Sequence, residues 1–281
     1  MPNIELPHCR IRYRFDGAAA NPVLLLCNSL GADLSMWDGV VPHLAGDFQV
    51  LRYDGQGQGD SSDLKAACTL EDLGRDACAL LDALNIKDVH FCGQAMGSLI
   101  GIWLALFRRS RLKKLILANT AAAIGSRDFW DARIAAVENN GLAPMADAIV
   151  GRWFTPDYAA ANPTVIERMK DMLLRSTPSS YGRYCAAIRD VDFHGQLDQI
   201  STPTLVIGAT HDGACPPQES LFVCNHIAGA KYQELPAAHM SSIETPEAFA
   251  AALKSFLAAE GDRGDLLSDR GPGQPIIRRK E

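Results

Sequence analysis

Two textures of apolar residues alternate along the chain. One is the short strand-like run: Pro22-Val23-Leu24-Leu25-Leu26-Cys27 is continuously apolar, and shorter apolar stretches fall within residues 48–54, 112–118 and 203–208, with a weaker run near 232–235. Such runs predict strands buried on both faces, as in a mostly parallel sheet. Residues 11–15 instead alternate apolar and basic positions, which predicts an early edge strand. The other texture is helical. Leu70, Leu73, Ala77, Leu80, Leu81 and Leu84 keep a three-to-four spacing behind Thr69, a helix N-cap with Glu71 and Asp72 in the first turn. A second apolar helix is expected over 99–107, and a third over 246–257 closes the pattern. Strand, loop and helix recurring at this spacing predict a parallel α/β sheet. Functional residues then belong at the C-terminal ends of its strands.

Between about residues 121 and 193 the pattern changes. Helical segments dominate, with aromatic and basic residues interleaved, among them Phe129, Trp130, Arg133, Arg152, Trp153 and Tyr158. The expected organisation is an α/β core over 1–120 and 195–258, with an inserted helical cap over 121–194. The segment 259–281 clusters Gly, Asp, Arg and Pro without periodicity and is expected to be a disordered tail or linker.

The chemistry-bearing stretch is Val89-His90-Phe91-Cys92-Gly93-Gln94-Ala95-Met96-Gly97-Ser98. A short strand running through Gly-x-Ala-x-Gly into an apolar helix has the layout of a nucleophile elbow, which holds one side chain at the tip of a strained turn. Gly93 and Gly97 suit it because strand and helix backbones pass too close there for a Cβ. In the usual motif the tip is serine. Here it is Ala95, and a methyl group attacks nothing. Ser98 lies on the helix, past the tip, and is a poor substitute.

Two further strand-end residues follow in chain order. Asp212 comes in the loop after the run at 203–208, and His239 in Pro236-Ala237-Ala238-His239 after the last strand. Nucleophile, acid, histidine is the α/β-hydrolase order. There the histidine takes a proton, and the acid fixes its tautomer and stabilises the imidazolium. The loop Asn28-Ser29-Leu30-Gly31, after an earlier strand, occupies the place where this fold supplies an oxyanion-hole amide. Leu30 and Met96 are the candidate donors.

The chain resembles the 3-oxoadipate enol-lactonases, hydrolases that open a carboxylated enol-lactone in aromatic catabolism. The matching segments include Met36-Trp37-Asp38, Trp130-Asp131-Ala132-Arg133, Gly151-Arg152-Trp153-Phe154-Thr155-Pro156 and Ala238-His239-Met240-Ser241-Ser242-Ile243-Glu244. They extend to about residue 257, cap included. The resemblance implies an α/β-hydrolase fold with an inserted helical cap. It implies Asp212 as acid, His239 as base, Leu30 and Met96 as oxyanion hole, and Trp130, Arg133 and Trp153 as pocket walls. Arginine suits a substrate carboxylate. The departures cluster at the chemistry. The tip is Ala95, and the loop usually written Asp-x-Arg-Gly-His-Gly is here Asp54-Gly55-Gln56-Gly57-Gln58-Gly59. Hydrolase-fold proteins assigned to aminoacrylate or carbamate hydrolysis resemble this chain in carrying Gly-x-Ala-x-Gly. Three readings therefore stand: an enol-lactonase-like hydrolase, inactivated at Ala95 or working through water activated by His239 and Asp212; a carbamate or aminoacrylate hydrolase; and a silent carboxylate-binding protein.

Composition narrows the classes without choosing among these readings. At 281 residues, 47% hydrophobic and 21% charged, the chain has the balance of a globular protein. A net charge of −6 offers no footprint for nucleic acid. The 8 cysteines form no CxxC pair, so reduced core residues are expected, with no metal and no cofactor. No apolar stretch approaches the ~20 residues of a membrane span, and the first residues carry no signal-peptide pattern. The expected setting is the cytoplasm, and the expected partner a small carboxylated lactone or ester.

Overall fold

The computed structural model describes residues 2–259; of the expected tail, residues 260–281 lie outside this range. Eight strands form one sheet in the order β1-β2-β4-β3-β5-β6-β7-β8. They are β1 Asn3–Glu5, β2 Arg10–Asp16, β3 Val23–Cys27, β4 Gln49–Tyr53, β5 Val89–Gln94, β6 Leu112–Ala118, β7 Thr204–Ala209 and β8 Lys231–Leu235. β2 pairs antiparallel with β1 and with β4, and every later pair is parallel. The central strands bury apolar side chains on both faces, under the helices that cover the sheet: Leu24, Leu25, Leu26, Ile116, Leu117 and Val206 are all buried.

One expectation needs correction. The alternating strand at residues 11–15 is not an edge: Asn3–Glu5 pairs outside it and takes that position. Three residues are too short a stretch to give a periodic signal, so β1 could not be anticipated. The helix after the elbow also starts earlier than its apolar pattern, at Met96 rather than residue 99, and runs to Phe107.

Thr69 caps the helix Leu70–Ala83 in a full capping box with Asp72. Between β6 and β7 lie the helices Arg127–Asn140, Ala146–Val150, Pro156–Ala161, Pro163–Leu174 and Pro178–Arg189. They meet the sheet at the C-terminal strand ends. Met240 N–H donates to the Trp153 carbonyl at 2.8 Å, and Thr155 hydrogen-bonds to Glu244, whose carboxylate also accepts the Ala238 N–H. Among the described residues no helix is long and apolar enough to cross a membrane.

Candidate active site

Ala95 sits at the turn between β5 and the following helix with φ 52° and ψ −110°. A non-glycine residue there carries strain that the surroundings must enforce. Several contacts do so. Ala95 N–H donates to the Ala118 carbonyl at 2.9 Å, and the Ala95 carbonyl accepts from Ser98 N–H at 2.9 Å. A Cβ on Gly93 would collide with the Gly97 carbonyl, and one on Gly97 with the Cys27 carbonyl. The elbow is therefore built as its glycines predict, with a methyl group at its tip. Ser98 is committed elsewhere, its hydroxyl donating to the Gly93 carbonyl at 2.7 Å.

His239, in the loop after β8, and Asp212, in the loop after β7, meet at the same end of the sheet. Nδ1 of His239 lies 2.9 Å from Oδ2 and 3.0 Å from Oδ1 of Asp212. A carboxylate beside Nδ1 fixes the proton there and leaves the Nε2 lone pair free. The carboxylate is further held by the N–H groups of Ala214 and Cys215, each 2.8 Å from Oδ1, and by Asn119 Nδ2, 3.0 Å from Oδ2. Burial pushes the Asp212 carboxyl up. The charge and hydrogen bond of His239, the Cys215 amide and Asn119 more than reverse this, leaving it below its ordinary value.

Asn119 was not anticipated as a site residue. It follows β6 with φ 50°, is fully buried, and accepts from the Ser241 hydroxyl at 2.6 Å. Its amide thus ties the acid to the histidine loop. The only sequence trace is an Asn at a strand end, a residue that tolerates this left-handed conformation.

A cavity of about 660 Å³ opens above these residues, and Ala95, His239, Leu30 and Met96 all line it. Met96 is the first residue of its helix, where a backbone N–H has no intrahelical acceptor. Trp130, Arg133 and Trp153 line the same cavity. Trp130 is fixed by its indole N–H donating to the Ile124 carbonyl at 2.6 Å. The Arg133 guanidinium packs 4.8 Å from the Phe129 ring centre and donates to the Tyr181 hydroxyl at 3.2 Å. Arg152, a second residue not anticipated at the site, packs 5.4 Å from the same ring and donates to the Gly213 carbonyl at 3.0 Å. Two guanidinium groups therefore flank Phe129 on the cavity wall. Gln56 and Gln58 both hydrogen-bond within the protein: Gln58 donates to the Ser29 carbonyl and Gln56 to Asp76, each at 2.9 Å.

A parallel sheet whose elbow, acid and histidine converge under inserted helices defines a class, and comparison with known proteins gives the same one. The family described as alpha/beta hydrolase fold matches residues 22–246. The chain is 36% identical over 247 residues to 3-oxoadipate enol-lactonase 2 of Acinetobacter baylyi, covering 88% of this chain and 92% of that one. It is 30% identical over 245 residues to the putative carbamate hydrolase RutD of Pseudomonas syringae, covering 85% and 95%. The solved enol-lactonase of Burkholderia xenovorans superimposes with a TM-score of 0.90 at 38% identity, covering 92% of this chain and all of that one. The chain belongs to the α/β-hydrolase fold family and, within it, to that of the 3-oxoadipate enol-lactonases.

Proposed function

We propose that this chain hydrolyses a small carboxylated ester, an enol-lactone of the 3-oxoadipate type, with water in place of an acyl-enzyme. The convergence of Ala95, His239, Leu30 and Met96 on one cavity that also holds Arg133 and Arg152 carries the reading. The arginines attract the substrate carboxylate. Asp212 holds His239 so that Nε2 takes a proton from water as its oxygen forms a bond to the lactone carbonyl carbon. The carbonyl oxygen becomes an oxyanion facing the Leu30 and Met96 N–H groups. On collapse the ring C–O bond breaks, and the enol oxygen leaves with the proton from the imidazolium. An enol is a good leaving group, so the reaction needs less help than amide hydrolysis. Oxyanion hole and binding alone supply roughly 10³–10⁴ over water, and a placed general base adds typically ~10²–10⁴.

A second reading, carbamate hydrolysis, draws support from Ala95 itself and from the similarity to RutD. The two separate by substrate. Turnover of 3-oxoadipate enol-lactone would be measured for the native chain, Ala95→Ser and His239→Ala. The expected result is turnover by the native chain that falls at least ~10²-fold in His239→Ala. Turnover only in Ala95→Ser would mean a lactonase lacking its nucleophile. Turnover in neither form, with carbamate cleaved instead, would move the assignment to the second reading.

A further inference from the structure

A second cavity, of about 760 Å³, is lined by the turn after β1, by residues 62–68 and by the helix Leu70–Ala83. His8, Cys9, Gln56, Cys68 and Asp76 line it, and none takes part in the chemistry proposed above. Three of these side chains converge. His8 Nε2 lies 2.6 Å from Asp76 Oδ1, and one ligand atom from each of His8, Cys9 and Asp76 falls within 4.8 Å of the other two. Cys9 and Asp76 are buried, whereas the His8 side chain is 55% exposed and free to adjust. From these positions an imidazole nitrogen, a thiolate and a carboxylate oxygen reach the ~2.0–2.3 Å bonds of a tetrahedral zinc-type ion by small rotations.

The electrostatics point the same way. Asp76 is a buried carboxylate whose ion pair is to His8, itself charged only when protonated. Its other oxygen accepts from Gln56 Nε2 at 2.9 Å. That residue stands where the related loop is written with arginine, so the position beside the carboxylate donates a hydrogen bond and brings no charge. A cation held here would take Cys9 as the thiolate, because a coordinating thiol loses its proton outright. The Gln56 backbone is held in turn: its main-chain carbonyl accepts from the Tyr184 hydroxyl at 2.7 Å. Outer partners that hold a ligand in place typically tighten metal binding.

We propose that His8, Cys9 and Asp76 form a binding site for a zinc-type divalent cation. Binding releases the Cys9 thiol proton to solvent as the sulfur–metal bond forms, and neutral His8 gives its lone pair. The ion ties the start of β2 to the helix Leu70–Ala83 and fixes Gln56 of the glycine loop. The chain carries no CxxC signature because two ligands are sequence neighbours and the third comes from a distant helix.

The test uses the full, untagged, reduced chain titrated with Co²⁺, which takes zinc sites and gives a near-ultraviolet band when a thiolate binds it. One equivalent is expected to saturate the band. Cys9→Ser is expected to abolish it, and His8→Ala and Asp76→Asn to weaken binding at least tenfold. Zn²⁺ is expected to raise the melting temperature of the native chain and not that of Cys9→Ser, provided the metal-free forms melt alike. Asp212, Cys215 and His239 also bring ligand atoms within 4.8 Å of one another, so Cys215→Ser is the necessary companion and should keep the band. A band that survives Cys9→Ser, one lost in Cys215→Ser, or none at all overturns the proposal.

Discussion

Asp54 and Asp212 both stand just past the C-terminal end of a parallel strand, β4 and β7 respectively. Both are almost completely shielded, at 0% and 3% exposure. Both accept two backbone N–H bonds: Asp54 from Leu34 at 2.6 Å and Asp60 at 3.3 Å, Asp212 from Ala214 and Cys215. Yet their protonation is driven in opposite directions. Burial pushes Asp54 up to about 7, and neighbouring Asp33 adds to the push. The Leu34 and Asp60 amides and Arg12 oppose it without reversing it. Arg12 sits 3.5 Å from Asp54 and pairs more closely with Asp60, at 2.5 Å. Asp212 has the His239 ring in direct contact with both oxygens and Asn119 donating to Oδ2, and ends below its ordinary value. Burial alone therefore does not decide the charge of a strand-end carboxylate. A cationisable ring in contact does. One aspartate is a permanent anion able to steer an imidazole, while the other is a loop anchor that can be neutral.

The largest expected effect is at the anion. Asp212→Asn keeps the shape but removes the charge and favours the wrong tautomer of His239. In a serine protease triad this change costs about 10⁴ in kcat, and a loss of roughly 10²–10⁴ is expected here in lactone turnover. Far-UV circular dichroism should be unchanged, since an amide oxygen can still accept the Ala214 and Cys215 N–H groups that hold the loop. Near-native turnover in Asp212→Asn would mean that the charge is not what orients the ring.

At the loop anchor the prediction concerns stability and not rate. A carboxyl whose folded pKa lies above its unfolded value contributes stability that is complete below pH 4 and lost as pH rises through about 7. The size is on the order of 4 kcal/mol across that window. Asp54→Asn should flatten this part of the stability profile in urea melts from pH 4 to 8. It should also be less stable than the native chain at pH 4, because an amide NH₂ cannot accept the Asp60 N–H as a protonated carboxyl oxygen can. Asp212 has the opposite sign: its contribution is present above pH 4 and lost on acidification. If Asp54→Asn keeps the native slope between pH 4 and 8, the contrast between the two carboxylates fails.

What was legible in the chain follows the same division between local and long-range causes. The strands at 22–27 and 203–208 were readable because burial on both faces leaves a nearly unbroken apolar run. The elbow was readable because two close backbone approaches demand glycine at Gly93 and Gly97. Asp212 and His239 were readable by their place after strands. Asn119, Arg152 and the cluster of His8, Cys9 and Asp76 were not, since each acquires its meaning from a neighbour far away in sequence. The opposite charging of Asp54 and Asp212 was equally invisible, because a strand followed by Asp looks the same in both places.

The smallest expected effect tests how narrowly the site is drawn. His211 is adjacent to Asp212 and carries a second imidazole beside the acid. It is exposed, and its backbone N–H donates to the Ala237 carbonyl at 2.9 Å. An alanine there keeps that bond and removes a solvated ring. His211→Ala should change stability by less than about 0.5 kcal/mol and leave turnover within about twofold at every pH. His239→Ala in the same assay should lose its general base. A pH–rate profile separates them: removing His239 should erase the limb that reports a titrating base, and removing His211 should leave it in place. A shifted or missing limb in His211→Ala would mean that the exposed ring takes part in proton transfer. The immobile buried pair would then be a structural clamp, with the charge contrast between β4 and β7 serving the fold rather than the reaction.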